Sequence, residues 1–335
     1  MRFPTVLAAA ALAAGLVAPA PAQEANKPVL TVYTYDSFAS DYGPGPAIKK
    51  GFEATCDCVV KFVGLDSSIG AFNRIRLEGA SSEADVLLGL DVNLAGDARA
   101  SGLFVDHGAD LSALTLPIAW HDPVLAPFDW GYFAFVYSDK RLAKPPHSFE
   151  QLAAAKGLKI AIQDPRSATP GLGLLMWVRK VYGDKAPDYW RRLKPRILTV
   201  TKSWWDSYSL FLKGEADMVL SYTTSPAYHI IAENRHDIHA AKFKEGHYLQ
   251  MELAAVTRAS KHPALARRFI AFLVGPEAQA VIPTTNWMYP VNPQVKLPDA
   301  FETLVQPDKT LYFAPDVAAR HRKAWINQWL DVMGR

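Results

Sequence analysis

Apolar residues along the first third of the chain alternate between short β-branched runs and runs with helical spacing. Residues 29–35 (VLTVYTY), 59–63 and 84–90 are rich in β-branched, aromatic or large aliphatic side chains, which predicts three strands. A helix ending near Glu53 is predicted before the second strand, and residues 69–77, with apolar positions three apart, predict a helix before the third. This alternation indicates an α/β fold with largely parallel sheets.

Two longer strand-like runs, residues 128–137 (FDWGYFAFVY) and 248–256 (YLQMELAAV), divide the remaining chain. Strands and helices alternate again between them, so we expect a second α/β unit there and a return of the C-terminal part to the first unit. The two long strands would join these lobes as hinges. The predicted division is residues 27–127 and 254–335 for lobe 1, 138–246 for lobe 2, and 128–137 and 247–253 for the hinge strands.

The first 22 residues have the pattern of a secretory signal peptide. Met1-Arg2 is basic, residues 6–17 are apolar, and small residues at Ala20 and Ala22 suit cleavage after Ala22. The apolar run is shorter than the roughly 20 residues of a membrane-spanning helix. We therefore expect residues 1–22 to be removed on export to the periplasm.

The amino-acid composition mainly excludes classes of protein. Half of the 335 residues are hydrophobic and 21% are charged, as in folded globular proteins. The net charge is only +3, and the short basic stretches have the spacing of solvated helix faces, so no nucleic-acid partner is expected. The two cysteines, Cys56 and Cys58, would lie in an oxidising compartment that permits a disulfide, but the tight C-x-C spacing leaves the bond undecided.

Small polar residues occupy three predicted strand-to-helix turns, residues 66–68 (DSS), 167–171 (SATPG) and 222–226 (YTTSP). Thr169 and Ser225 are predicted N-caps, each followed by proline at the first helical position. Helix N-termini expose N–H groups and the positive end of the helix dipole, so they suit a phosphate group. Ordinary capping explains any one turn better, and the hypothesis depends on the three turns occurring together.

Aromatic and acidic residues lie beside these turns in the sequence. The aromatic candidates are Tyr35, Trp204, Tyr222, Tyr228 and Trp287. Each Tyr or Trp face attracts a cation by about 0.5–2 kcal/mol, and Asp36 and Asp91, at predicted strand ends, add negative charge. This combination predicts a cleft for a ligand that is flat and cationic at one end and phosphorylated at the other.

Familiar catalytic and metal-binding motifs do not occur in the sequence. It contains no G-x-S-x-G, H-E-x-x-H or G-x-x-x-x-G-K-[ST] segment. His236 and His239 have the spacing of one helix face but lack an evident third ligand. We predict no metal, no cofactor and no enzymatic activity, although a catalytic triad need not be local in sequence.

Four long segments carry a family resemblance. They are residues 27–46 (KPVLTVYTYDSFASDYGPGP), 163–173 (QDPRSATPGLG), 210–228 (LFLKGEADMVLSYTTSPAY) and 286–290 (NWMYP). These segments closely resemble the bacterial periplasmic thiamine-binding proteins, in the same order and nearly to the C-terminus. The resemblance implies a type II periplasmic-binding fold that closes over its ligand, with thiamine, thiamine monophosphate or thiamine diphosphate as ligand. It also implies a membrane permease of an ABC importer as partner, and we expect a monomer.

By motif position, the resemblance implies a ligand site at both lobes. The candidate ligand-binding residues are Tyr35, Asp36, Ser67, Ser68, Asp91, Ala168, Thr169, Trp204, Tyr222, Thr223, Thr224, Ser225, Tyr228 and Trp287. The chain departs from the family pattern at Ser67-Ser68, where the family has an acidic residue followed by glycine. A serine hydroxyl can still donate or accept a hydrogen bond, so we expect the departure to affect selectivity more than capture.

Two other functions of related folds remain open. A thiamine-degrading enzyme of the thiaminase I type would need a cysteine nucleophile in the cleft, whereas Cys56 and Cys58 precede a strand near its opposite end. A ferric-ion binder usually has adjacent tyrosines, whereas Tyr222 and Tyr228 are six positions apart.

Overall fold

The computed structural model describes residues 27–334, so the predicted signal peptide, residues 1–22, lies outside the described residues. The strands are β1 (Val29–Tyr35), β2 (Val59–Leu65), β3 (Val86–Asp91), β4 (Phe104–Val105), β5 (Ala126–Ser138), β6 (Ile160–Gln163), β7 (Ile197–Thr201), β8 (Met218–Tyr222), β9 (Ile238–Ala240), β10 (His247–Thr257), β11 (Tyr289–Pro290) and β12 (Thr310–Leu311). The helices are α1 (Asp36–Ala39), α2 (Gly45–Ala54), α3 (Ser68–Glu78), α4 (Ala95–Ser101), α5 (Phe149–Ala154), α6 (Thr169–Tyr182), α7 (Ala186–Leu193), α8 (Trp204–Leu212), α9 (Ser225–Glu233), α10 (Pro263–Leu273), α11 (Pro276–Gln279), α12 (Ile282–Thr285) and α13 (Pro315–Met333). Among these helices, none combines the length and apolar character needed to cross a membrane.

The strands form two joined sheets. In the first sheet, β2, β1 and β3 are parallel neighbours, and β10 runs antiparallel to β3. In the second sheet, β7, β6 and β8 are parallel neighbours, and β5 runs antiparallel to β8. Every residue of β3 and β10 is buried, which explains their nearly unbroken apolar sequences, because helices cover both faces.

Strand β5 belongs to both sheets. Its first half, up to Tyr132, pairs with β10, whereas Phe133 and the residues after it pair with β8 and β9. The chain therefore passes between the sheets through one continuous strand, and two lobes joined in this way confirm the predicted fold class. The predicted boundaries of the lobes and hinges stay predictions.

The C-terminal helix α13 contacts both lobes. Its Trp329 ring meets the ring of Trp190 in α7, with 6.4 Å between ring centroids. On the other side, Arg322 forms an ion pair with Asp97 of α4 at 3.0 Å. The buried Trp325 and Trp329 of this helix therefore pack against the core beside the second sheet. The ion pair of Arg322 connects the same helix to the first lobe.

Cys56 and Cys58 form a disulfide at the end of α2, with 5.3 Å between their Cα atoms. The bond closes the tight turn between α2 and β2, and neither cysteine lines the ligand cavity described below. The pairing that the spacing left undecided is therefore present.

Candidate functional site

A cavity of about 750 Å³ lies between the two sheets, beyond the carboxyl ends of β1 and β8. Pockets that enclose small organic ligands have volumes of about 300–1,000 Å³. Asp36 and Ser67, which lie next to strands of the first sheet, form one wall, and Thr169 and Trp204, which follow strands of the second sheet, form the other. The cavity therefore has the size and position of a ligand site shared by two lobes.

All but three of the predicted site residues line this cavity. The three that do not, Asp91, Thr223 and Thr224, are fully buried behind its wall. Asp91 Oδ1 accepts hydrogen bonds at 2.8 Å from the backbone N and the Nδ2 of Asn93, which places the carboxylate at the turn after β3. Burial raises the pKa of Asp91 to about 7. The Thr224 hydroxyl donates to Met288 Sδ at 3.7 Å.

Aromatic rings form the walls of the cavity, and contacts outside it hold several of them in place. Trp204 stacks on Tyr208, with 4.9 Å between centroids, and its Nε1 donates to Ser221 Oγ at 2.9 Å. Tyr222 packs against Phe133 of the hinge strand β5, at 5.3 Å. These contacts fix the ring planes before a ligand arrives, which lowers the entropic cost of binding.

Tyr228 and Trp287 form a second aromatic pair across the cavity. Their rings meet edge to face, 5.3 Å apart and at 80°. Trp287 has a φ of 58°, a left-handed conformation that bulky residues rarely adopt. Strained backbone of this kind is concentrated at functional sites, which agrees with a binding role for the loop before β11.

Helices α3, α6 and α9 begin at the cavity after the three polar turns, and neither predicted N-cap is found. Ser67 caps α3, because its Oγ accepts from Gly70 N at 3.0 Å. Thr169 and Ser225 are not N-caps, since the residues before them hold that position and make no side-chain capping bond. Both helices start one residue earlier than predicted. The Ser225 hydroxyl instead accepts from Tyr222 N, at 3.2 Å.

Two polar contacts join the lobes across the cavity. Ser68 Oγ and Thr169 Oγ1, at the first residues of α3 and α6, lie 2.9 Å apart and are buried. At the rim, the Lys202 ammonium group lies 3.0 Å from an oxygen of Asp66, with both side chains exposed. The structure is therefore a closed arrangement in which the lobes touch at the mouth of the cavity.

A carboxyl group that sequence reasoning did not select lies at the base of the cavity. Glu252 of β10 lines the cavity with only 7% of its surface exposed. Its Oε2 accepts from the Tyr35 hydroxyl at 2.7 Å, and its Oε1 accepts from Gln250 Nε2 at 3.1 Å. Burial and the neighbouring carboxylate of Asp129 raise the pKa of Glu252 well above its ordinary value. A lone acidic residue within an otherwise apolar strand is the signal that could have found it.

The structure of the described residues also tests two alternative functions, the binding of a metal ion and catalysis by a cysteine nucleophile. In residues 27–334, no group of three or more His, Cys, Asp or Glu side chains is placed to hold a metal ion. His239 Nε2 contacts Asp139 at 3.0 Å, away from the cavity. Cys56 and Cys58 are bonded to each other and do not face the cavity, so neither offers a thiol nucleophile there.

Two lobes linked by shared strands, with an aromatic cavity closed between them, define a solute-binding protein. The chain belongs to the bacterial extracellular solute-binding protein family, whose model matches residues 47–307. Because this family consists of solute carriers, the prediction that the chain is not an enzyme is confirmed.

Several similar proteins are named as thiamine-binding proteins. A thiamine-binding periplasmic protein of Escherichia coli K12 is 53% identical over 92% of this chain and 94% of its own length. One from Salmonella typhimurium is 54% identical with the same coverage. A solved periplasmic thiamin binding protein superposes with a TM-score of 0.91 at 52% identity, covering 96% of this chain and all of the other. The resemblance found in the sequence is thereby confirmed.

Proposed function

We propose that this protein captures thiamine or one of its phosphate esters between its lobes and delivers it to the permease of an ABC importer. The observation that carries the proposal is that one cavity contains two kinds of chemical group, each suited to a different part of the ligand. Aromatic walls and a buried carboxyl group suit a flat cation, whereas helix N-termini and an ammonium group suit a phosphate. Thiamine monophosphate and diphosphate contain both kinds of group.

The cationic rings would contact the aromatic side chains, each contributing about 0.5–2 kcal/mol. Trp204, Tyr222, Tyr228 and Trp287 are the proposed walls, with Tyr35 beside Glu252 at the base. The phosphate would be held where α3 and α6 begin, within reach of Lys202 at the rim. Ser67 and Ser68 supply hydroxyl groups at that end, and Glu252 supplies the buried carboxyl group at the base.

Delivery to a permease is the known task of this class of protein, and the names of the relatives place them in the periplasm. We propose the same compartment for this chain, with export directed by residues 1–22. We also propose that it works as a monomer, with hinge movement at β5 and β10 opening and closing the cavity.

Isothermal titration calorimetry with thiamine, thiamine monophosphate and thiamine diphosphate tests the ligand class. We expect one ligand per chain, and about two- to thirtyfold weaker binding for Trp204→Ala and Tyr222→Ala, since each removes a stacking wall. Tyr312→Ala is the matched control, because Tyr312 is a partly exposed aromatic residue outside the cavity. The proposal fails if none of the three compounds binds, or if both cavity variants bind as well as the control.

A further inference from the structure

Three carboxyl groups lie side by side on adjacent strands behind the cavity. In the sheet register, Glu252 of β10 stands opposite both Asp91 of β3 and Asp129 of β5. All three are buried, and Glu252 alone faces the cavity. The two hydrogen-bond partners of Glu252, Tyr35 and Gln250, are both neutral groups.

The hydrogen bonds around Tyr35 depend on the protonation of Glu252. The Tyr35 hydroxyl lies 2.7 Å from Glu252 Oε2 and 3.1 Å from Asn286 Oδ1, yet it has one proton to donate. The orientation of Asn286 is fixed, because its Nδ2 donates to Asp129 Oδ2 at 2.5 Å. If Glu252 is ionised, Tyr35 donates to it and the Asn286 oxygen loses its donor.

Protonating Glu252 gives both the Tyr35 oxygen and Asn286 Oδ1 a hydrogen-bond donor, whereas Asp129 Oδ1 has no partner in either state. The carboxyl of Glu252 then donates to the Tyr35 oxygen, Tyr35 donates to Asn286 Oδ1, and Asn286 donates to Asp129. Asn286 is partly exposed in the cavity wall, so the protonated state gains the net value of one hydrogen bond, about 0.5–1.5 kcal/mol, and the geometry favours a proton on Glu252 while the cleft is empty.

The electrostatic surroundings favour the same state. The titratable groups that face Glu252 from the neighbouring strands are Tyr35 of β1, Asp91 of β3, Asp129 of β5 and Tyr222 of β8. Burial and the carboxylate of Asp129 raise the pKa of Glu252 well above its ordinary value, and burial raises that of Asp129 to about 8. Two carboxylates so close together in a buried site are not both ionised near neutral pH.

We propose that Glu252 is protonated in the ligand-free cleft and releases its proton to solvent when the positively charged ring of the ligand enters. The carboxylate left behind becomes the counter-ion of the ligand, and Tyr35 turns its hydroxyl toward it. Capture of the vitamin is thereby linked to the release of a proton. This inference rests on the proposed function, because it requires a cationic ligand.

Calorimetric titration of the full mature chain with thiamine, in PIPES and in Tris at pH 7, measures the proton directly. The two buffers have different ionisation enthalpies, so the difference in observed heat gives the number of protons released. Thiamine is used because phosphate esters titrate near pH 6 themselves. We expect roughly one proton to be released for each ligand bound. At pH values below the pKa of Glu252 in the free protein, the affinity should increase with rising pH, by up to about tenfold per pH unit.

Variants assign the proton to its residue. Glu252→Gln keeps a side chain of the same shape that cannot titrate, so proton release is lost and the affinity becomes weaker and nearly independent of pH. Asp129→Asn still releases a proton, though a smaller fraction, because removing the Asp129 charge lowers the pKa of Glu252. Glu215→Gln, which removes an exposed carboxylate outside the cavity, behaves as wild type.

Each possible result decides between the two proposals. Binding of thiamine by the wild-type protein without proton release overturns the role of Glu252 and leaves the proposed function standing. Release that persists in Glu252→Gln and vanishes in Asp129→Asn assigns the proton to Asp129 and also overturns it. Absence of thiamine binding refutes the proposed function itself. If Glu252→Gln does not fold, Asp129→Asn decides: release that is retained there supports Glu252 as the source, and release that is lost overturns the proposal.

Discussion

At the scale of single residues, Trp287 combines a proposed ligand contact with an unfavourable backbone conformation. Its φ of 58° is shared, among the non-glycine residues from 27 to 334, only with Asn234 at 51°. Asn234 ends α9, where asparagine adopts the left-handed conformation readily. A tryptophan has no such preference, so the fold must hold Trp287 in place through the contacts of its ring with Tyr228 and the cavity wall.

Trp287→Gly and Trp287→Ala separate the contribution of the ring to ligand affinity from the effect of backbone strain on stability. Both variants lose the ring, so we expect thiamine affinity to fall about two- to thirtyfold in each. Glycine also relieves the left-handed strain of about 1–3 kcal/mol and loses about 0.5–1 kcal/mol to its unfolded-state entropy, so it should be about 1 kcal/mol more stable than alanine. Urea unfolding of the ligand-free proteins measures the difference, and calorimetry measures the affinity.

The matched pair for this comparison is Asn234→Gly and Asn234→Ala. The same order of stability is expected there without a change in thiamine affinity, because Asn234 lies outside the cavity. An alanine variant at position 287 as stable as the glycine variant would show that the backbone there is not strained.

Most residues that were predicted from their positions beside turns do line the cavity, and the misses have physical causes. Aromatic and hydroxyl side chains at strand ends reach the cavity because parallel strands place their carboxyl ends together. Asp91 satisfied the same rule, yet its carboxylate folds back onto Asn93. Glu252 lies in the middle of a strand and reaches the cavity only because β10 passes between the lobes, a relation that no local pattern contains.

At the scale of elements, the close packing of helix α6 against strand β5 depends on a glycine. Gly173 lies on the face of α6 that meets Phe133 of β5, and a Cβ built on it would overlap the Phe133 ring. The absence of a side chain thus allows the first two turns of α6 to approach the strand that joins the lobes. Sequence alone predicted this helix from its spacing, but the need for glycine depends on which strand lies beneath it.

Gly173→Ala and Gly70→Ala should change stability in opposite directions. Overpacking at Gly173 is expected to reduce the free energy of unfolding by about 1–3 kcal/mol, because neither α6 nor Phe133 can shift freely. Gly70, in α3, has room for a Cβ at an ordinary contact distance, and alanine there should add up to about 1 kcal/mol through helix propensity. Urea unfolding of both variants measures the effect. Equal changes in the two proteins would refute the packing explanation.

At the scale of the whole molecule, the sequence pattern identified the two long strands but did not show that β5 belongs to both sheets. The unbroken apolar runs of β5 and β10 marked them as buried. That β5 leaves one sheet at Tyr132 and enters the other at Phe133 depends on pairing with strands more than 80 residues away, which a local pattern does not specify. The contacts of helix α13 with both α4 and α7 likewise follow only from the tertiary fold.

Closure of the lobes is the last property that the contacts allow us to predict. The buried hydroxyl pair of Ser68 and Thr169 exists only when the lobes meet, so it stabilises the closed form and not the open one. Thr169→Val preserves the shape of the side chain and removes the bond, at a cost of about 0.5–1.5 kcal/mol to the closed form. Thiamine should therefore bind about two- to tenfold more weakly and dissociate faster.

Small-angle X-ray scattering provides the independent measure of that movement. For the wild-type protein we expect the radius of gyration to fall when thiamine is added, because the ligand contacts both lobes and favours the closed form. Thr169→Val should require more thiamine to reach the same compaction, whereas Thr115→Val, an exposed threonine outside the cavity, should follow the wild-type titration. If Thr169→Val matched the wild-type curve, the hydroxyl pair would make no contribution to closure. Scattering unchanged by saturating thiamine would mean that the lobes are already together before the ligand binds, and access to Glu252 would then depend on a local opening at the Asp66–Lys202 rim.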